Sequence, residues 1–228
     1  MKTFLKICQD VREETGISGS GPVSVTTAIG IERRIVGWVR QAWVDVQQFR
    51  PDWPWMVKDF TFNLSPEKER YTLAELNLTD VDRWIFDQTR IYKTADGRLG
   101  ESYIRSADYY RDWLSLTIGI TENTTPTHIL FNPTNNELVF FPAPDAEYTI
   151  TTRYYRQPQR VAADIDIPLV PPGARFQEII KWKALMYYGF HDGAPDILGE
   201  AEQMYAEMIT AMDNQFGQNI TIGHRPLA

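Results

Sequence analysis

Thr127-His128-Ile129-Leu130-Phe131-Asn132-Pro133-Thr134-Asn135-Asn136-Glu137-Leu138-Val139-Phe140-Phe141-Pro142 is the stretch that decides the fold class. Thr127 to Phe131 and Leu138 to Phe141 are short apolar runs, and the linker between them, Asn132 to Asn136, is built from turn-forming residues. That pattern reads as paired strands. Downstream, Tyr148, Ile150, Thr152 and Tyr154 alternate over one more strand, and Pro142 and Pro144 limit further pairing at the strand ends. Upstream, Ser106 to Leu114 reads as a short helix capped by Ser106, Asp96-Gly97 as a turn and Asp82 to Tyr92 as a longer strand. Before them, Ser65-Pro66-Glu67-Lys68 reads as a turn, and Phe60, Phe62 and Leu64 alternate with polar residues as in a half-buried strand.

Farther out, the period changes from strand to helix. Phe4, Leu5, Cys8 and Val11 lie on one face of a segment from Thr3 to Thr15, which Gly16 can end. After a loop rich in Gly, Ser and Thr, Ile31, Ile35, Trp38, Val39, Ala42, Val46 and Phe49 form a longer apolar stripe that Pro51 closes. Asp52-Trp53-Pro54-Trp55 suggests a rigid corner of packed rings. Asp164 to Pro172 is an extended connector, because Pro168, Pro171 and Pro172 oppose helix. Phe176, Ile180, Ala184, Tyr187 and Tyr188 mark another helix, widened by Trp182 and Leu185. From Pro195, a last helix is lined by Ile197, Ala201, Met204, Tyr205, Met208, Met212 and Phe216, with Glu200, Glu202, Glu207 and Asp213 facing away. The expected fold is α+β: an antiparallel helical bundle formed by the N- and C-terminal helix pairs (1–50 and 172–217), with an inserted β-rich module (51–171) and a C-terminal tail (218–228).

Composition narrows the function. The 228 residues carry a formal net charge of -7, which opposes phosphate binding as a general activity. Seven Trp and eleven Tyr suit interfaces, where a ring buries area while its polar tip finds a partner, although they suit a ring-rich core as well. With one cysteine, Cys8, an intrachain disulfide is impossible, and the residue reads as a small core hydrophobe. No stretch has the apolar length of a membrane span, and the N-terminus lacks the core of a signal peptide, so the cytoplasm of the producing cell is the expected place of synthesis.

The search for chemistry returns little. His128, His191 and His224 do not pair at metal-ligand spacing. His191-Asp192 could be a base with its orienting carboxylate, but adjacent side chains seldom meet, and a solvated helix end is the plainer reading. Asp164-x-Asp166 and Asp80-x-Asp82 start like calcium loops without continuing as one, and read as turn carboxylates. Gly16, Gly19 and Gly21 precede a helix but lack the spacing and the Lys of a phosphate loop. Arg33-Arg34 and the dispersed Arg153, Arg156 and Arg160 suit salt bridges better than nucleic-acid readout. No catalytic residue, cofactor or metal site is assigned.

Phe4-Leu5, Cys8, Val11-Arg12, Glu14 and Gly16-Ile17, followed by Gly19-Ser20-Gly21-Pro22, resemble the opening of phage head-to-tail adaptor proteins. Similar too are Ile35-Val36, Trp38-Val39, Trp53 and Trp55; Leu138 to Pro144; Tyr154-Tyr155 and Pro158; and Asp166-Ile167-Pro168-Leu169-Val170-Pro171 before a helix. These are packing and turn patterns, and they lie outside Pro66 to Thr125. The resemblance implies a structural virion protein of the neck. Its copies would form a dodecameric ring with the portal protein above, tail or nozzle proteins below, and double-stranded DNA passing through without sequence-specific contact. On that picture Glu200, Glu202 and Glu207 are candidates for a channel wall that repels DNA. Ile220, Ile222, His224, Arg225 and Leu227, in a tail with no helix to bury them, are candidates for docking on the portal. The resemblance implies no enzyme. Two other classes stay open: a tail-associated cell-wall hydrolase, which needs converging carboxylates in a cleft, and a receptor- or sugar-binding module that uses exposed Trp and Tyr.

Overall fold

A computed structural model of the chain describes residues 1–19, 21–117, 122–170 and 174–217. In chain order the elements are α1 (Phe4–Glu14), α2 (Gly30–Gln48), β1 (Val57–Leu64), β2 (Arg70–Thr72), β3 (Val81–Lys93), β4 (Ser102–Tyr103), β5 (Arg105–Ser106), α3 (Tyr109–Thr117), β6 (His128–Asn132), β7 (Glu137–Phe141), β8 (Tyr148–Arg156), α4 (Ala174–Asp192) and α5 (Pro195–Phe216). Two compact units result. One holds Met1–Met56 and the chain from Pro158 onward; the other is Val57–Gln157.

In the helical unit, the Thr3 hydroxyl accepts the Lys6 N–H and caps α1. The carbonyls of Asp166 and Asp164 accept the N–H groups of Phe4 and Leu5 at 2.7 and 3.2 Å, so the connector before α4 satisfies donors that a helix start leaves open. Phe4, Ile7, Cys8 and Val11 form the buried face of α1. On α2 the stripe Ile35, Val39, Ala42 and Val46 is buried as its period predicts, and Val36, Trp43 and Gln47 join it. Phe49 breaks the expected stripe. It is 53% exposed and stacks at 6.5 Å on Trp53, whose ring lies 4.2 Å from that of Trp55.

Gln47 is a buried polar residue with each group used. Its amide donates to the carbonyls of Trp43 and Gln159 at 3.1 and 3.0 Å, and its carbonyl accepts the Gln159 N–H at 2.7 Å. Gln159 in turn accepts from the Trp43 indole and the Leu169 N–H. The pair locks the returning chain to α2, as the cost of leaving a buried amide unpaired would lead one to expect.

The expected bundle is corrected by this structure. The end helices do not meet as two equivalent pairs. Buried residues on α4, namely Phe176, Ile179, Ile180, Ala184, Leu185 and Tyr188, spread over more than half the helix circumference, and α4 packs against α1, α2 and α5. On α5 the buried residues Ala201, Ile209 and Met212 form one narrow stripe, enough for a single neighbour along its length. Its C-terminal end is held by rings: Phe216 packs edge-on to Trp55 and Phe176, and Asp213 is ion-paired with Arg50.

Nor is the β-rich part an accessory inserted in a bundle. It occupies the middle of the chain and has a core of its own, built by two four-stranded sheets of order β1-β8-β3-β4 and β2-β7-β6-β5. Leu64, Ile91, Tyr148 and Ile150 of the first sheet meet Tyr71, Ile129, Leu138 and Phe140 of the second, and the rings of Phe62, Tyr71 and Phe140 contact one another edge-on at 5.9 Å. Pairing is antiparallel except between β5 and β6. Leu130, Val139 and Phe141, on the far side of the second sheet, pack against Tyr109, Trp113 and Leu116 of α3. This covering of both faces explains why Leu138 to Phe141 is apolar without alternation. Ser106 does not cap α3. It lies in β5, and Asp108 is the cap, its carboxylate accepting the Arg111 N–H at 2.9 Å.

Candidate functional site

The side chains that invited a chemical reading are occupied with structural work. Asp166 accepts the N–H groups of Ala162 and Ala163 at 2.7 and 2.8 Å, and these bonds hold its carboxyl below the usual range. Asp164 accepts the Val25 N–H at 2.6 Å. Asp80 binds Lys58 and the Tyr154 hydroxyl, each at 2.8 Å. Burial alone would raise its pKa, and these two partners turn the net shift downward. Cys8 is buried, and desolvation pushes its thiol up to about 12, far from a reactive thiolate.

His191 corrects the sequence reading. It does meet its neighbour: Nδ1 lies 2.6 Å from Asp192 Oδ1, and Nε2 lies 3.1 Å from Arg34 Nη1. The ring also contacts Trp38 at 5.4 Å. With Nδ1 donating to Asp192 and Nε2 accepting from Arg34, both ring nitrogens are in use. The trio joins the end of α4 to α2 at the surface. His128 sits on β6, where burial and then Arg105 lower its pKa, and its Nδ1 is 2.9 Å from the Thr127 hydroxyl.

The glycine-rich loop folds over Arg12. That side chain is 6% exposed, and its Nη2 donates to the Ser18 carbonyl at 2.6 Å. Gly21 has φ +84, and a Cβ there would stand 3.2 Å from the Arg12 Cβ. The loop is therefore closed by protein atoms where a phosphate cradle would be open. Among the described residues, no group of three His, Cys, Asp or Glu is placed to hold a metal ion, and no helix is long and apolar enough to cross a membrane.

What stands out instead is surface that suits contact with other chains. Glu200, Glu202 and Glu207 are exposed along α5, Glu200 and Glu207 on the side away from its buried stripe and Glu202 beside it, and Ala206, Thr210, Ala211 and Asn214 line a shallow hollow beside Glu207. In the helical unit, Val23 is 87% and Ile165 80% exposed on loops that the bond from Val25 to Asp164 draws together. Phe190 is 84% exposed near the end of α4. In the β-rich unit, Leu99, Tyr103 and Tyr110 are exposed. Apolar surface in water costs about 25 cal/mol per Å², which burial against a partner recovers. Ile220, Ile222, His224, Arg225 and Leu227 lie outside the described residues.

The family model of the SU10 adaptor protein matches residues 2–225. This chain belongs to the SU10 adaptor protein family. It is thus a member of a phage head-to-tail adaptor family, with a structural role as an adaptor. No curated protein matches it. In the SU10 adaptor match the middle of the chain is included, so the segment Pro66 to Thr125, where sequence motifs were silent, belongs to the family pattern too.

Proposed function

We propose that this adaptor is a subunit of the virion neck, and that its copies close into a dodecameric ring joining the portal protein to tail or nozzle proteins around the DNA channel. The observation that carries this reading is the family match over residues 2–225. The surface supports it: apolar residues exposed on both units offer area that a ring would bury. On this reading Glu200, Glu202 and Glu207 contribute to a wall that repels passing DNA phosphates. Replacing all three by Gln is expected to reduce infectivity; unchanged infectivity removes them from that role.

The tail, 218–228, is proposed to dock on the portal through Ile220, Ile222, His224, Arg225 and Leu227. The test is cosedimentation with purified portal, using the full chain and one ending at Gly217. The full chain is expected to travel with the portal and the shortened one to stay behind. Equal binding by both would remove the tail from the contact. Binding by neither would overturn the adaptor–portal reading itself.

A further inference from the structure

On the first sheet, a cleft of about 360 Å³ is lined by Asp59 of β1, Gln88 and Arg90 of β3, Arg98 and Glu101 of the turn that follows, and Arg153 of β8. Two of its three arginines are already engaged. Arg153 Nε is paired with Asp59 Oδ1 at 2.6 Å, and its Nη1 donates to Gln88 Oε1 at 3.1 Å. Arg90 is paired with Glu101 at 3.2 Å and donates to the Tyr103 hydroxyl at 3.2 Å. Both carboxylates of the cleft are thereby used. Arg98 has no ion pair or side-chain hydrogen bond among the described residues. The turn that carries it is fixed by Gly97 at φ +62 and by the bond from the Glu101 N–H to the Arg98 carbonyl at 3.2 Å. Thr61 and Thr151, whose hydroxyl oxygens are 3.4 Å apart, add neutral donors to the same lining.

We propose that this cleft receives a carboxylate from an acidic segment of a partner protein chain, with the Arg98 guanidinium as its fork. A planar guanidinium matches a carboxylate through two parallel N–H donors. The cleft offers one uncompensated positive charge, which suits a single carboxylate. A DNA duplex presents a charge about every 1.7 Å of its axis, and would meet the carboxylates of Asp59 and Glu101 beside that one cation. The overall charge of -7 adds to the repulsion. The volume fits an acidic side chain with its local backbone. The inference concerns the β-rich unit by itself and holds whether or not copies of the chain close into a ring.

The experiment is a nuclear magnetic resonance titration of the full chain with a capped tetraglutamate peptide at low salt. The expected result is saturable shifts at Thr61, Gln88, Arg98 and Thr151, with affinity reduced about tenfold by Arg98→Gln, and none with a tetraglutamine peptide. Arg98 is exposed, so an otherwise unchanged spectrum of the variant verifies its fold. No saturable shift, or equal affinity in Arg98→Gln, overturns the proposal. A DNA duplex that binds the same residues more tightly than the peptide overturns it in favour of nucleic acid.

Discussion

At the scale of the residue, the best-determined positions are buried polar groups, and they were the least legible in the sequence. Gln47 reads as one more polar residue on α2, yet it is 2% exposed because Gln159, over a hundred positions later, returns to meet it. Glu137 opens β7 directly after the turn Asn132 to Asn136, and nothing in its neighbours announces its contacts. Its Oε1 accepts from Arg70 and Asn132 at 2.8 Å each and from Asn135 at 3.3 Å. Burial raises its pKa, but these three partners outweigh burial and leave it lowered. The sign follows from linkage: a carboxyl with a depressed folded pKa stabilises the fold fully above its unfolded value, about 4.3, and that contribution is lost as pH falls through the folded value. Unfolding measured between about pH 6 and about pH 3 should therefore show a drop that Glu137→Gln flattens. At neutral pH the variant should be the less stable, since Arg70 loses one of its two carboxylate partners and keeps only Glu69. Parallel pH profiles for the two proteins would contradict the assignment.

Elements were legible wherever a period was strong, and their partners were not. The 3.6-residue period located α1, α2, α4 and α5, and the alternation Phe60, Phe62, Leu64 located β1. Ser106 misled because Ser is a good cap in general, while the cap in use is Asp108, two residues on; the pairing of β5 with β6 takes Ser106 into a strand, and no local signal reports a parallel partner. The bundle expectation failed for a related reason. An apolar stripe says that a helix is covered, but its width decides by how many neighbours, and α4 has a wide one where α5 has a narrow one. Gly189 marks a close approach between them: a Cβ there would lie 2.9 Å from the Leu198 Cβ and 3.0 Å from its backbone. Gly189→Ala should push α5 off α4 and cost about 1–3 kcal/mol, the range for overpacking a tight contact. Chemical denaturation of the variant gives the number, and an unchanged midpoint would show that the contact relaxes freely.

For the molecule as a whole, charge and the search for chemistry left the function open in the sequence; the resemblance implied an adaptor of the neck, and the family match places the chain among phage head-to-tail adaptors. The two sheets with their shared core were only partly visible beforehand, because a sheet's stacking partner is set by residues far apart in sequence, such as Leu64 and Phe140. Surface features were no more visible than the buried polar contacts. Val23 and Ile165 are exposed on loops that a bond between Val25 and Asp164 draws together, and the arginine cleft collects residues from β1, β3 and β8. The reading as a neck subunit stands on what many copies do together. Electron microscopy of the purified chain mixed with portal rings is the most direct measurement of that. The account predicts a second ring, of twelve subunits matching the portal and stacked coaxially on it; portal rings that stay bare at saturating concentrations of the chain would contradict it.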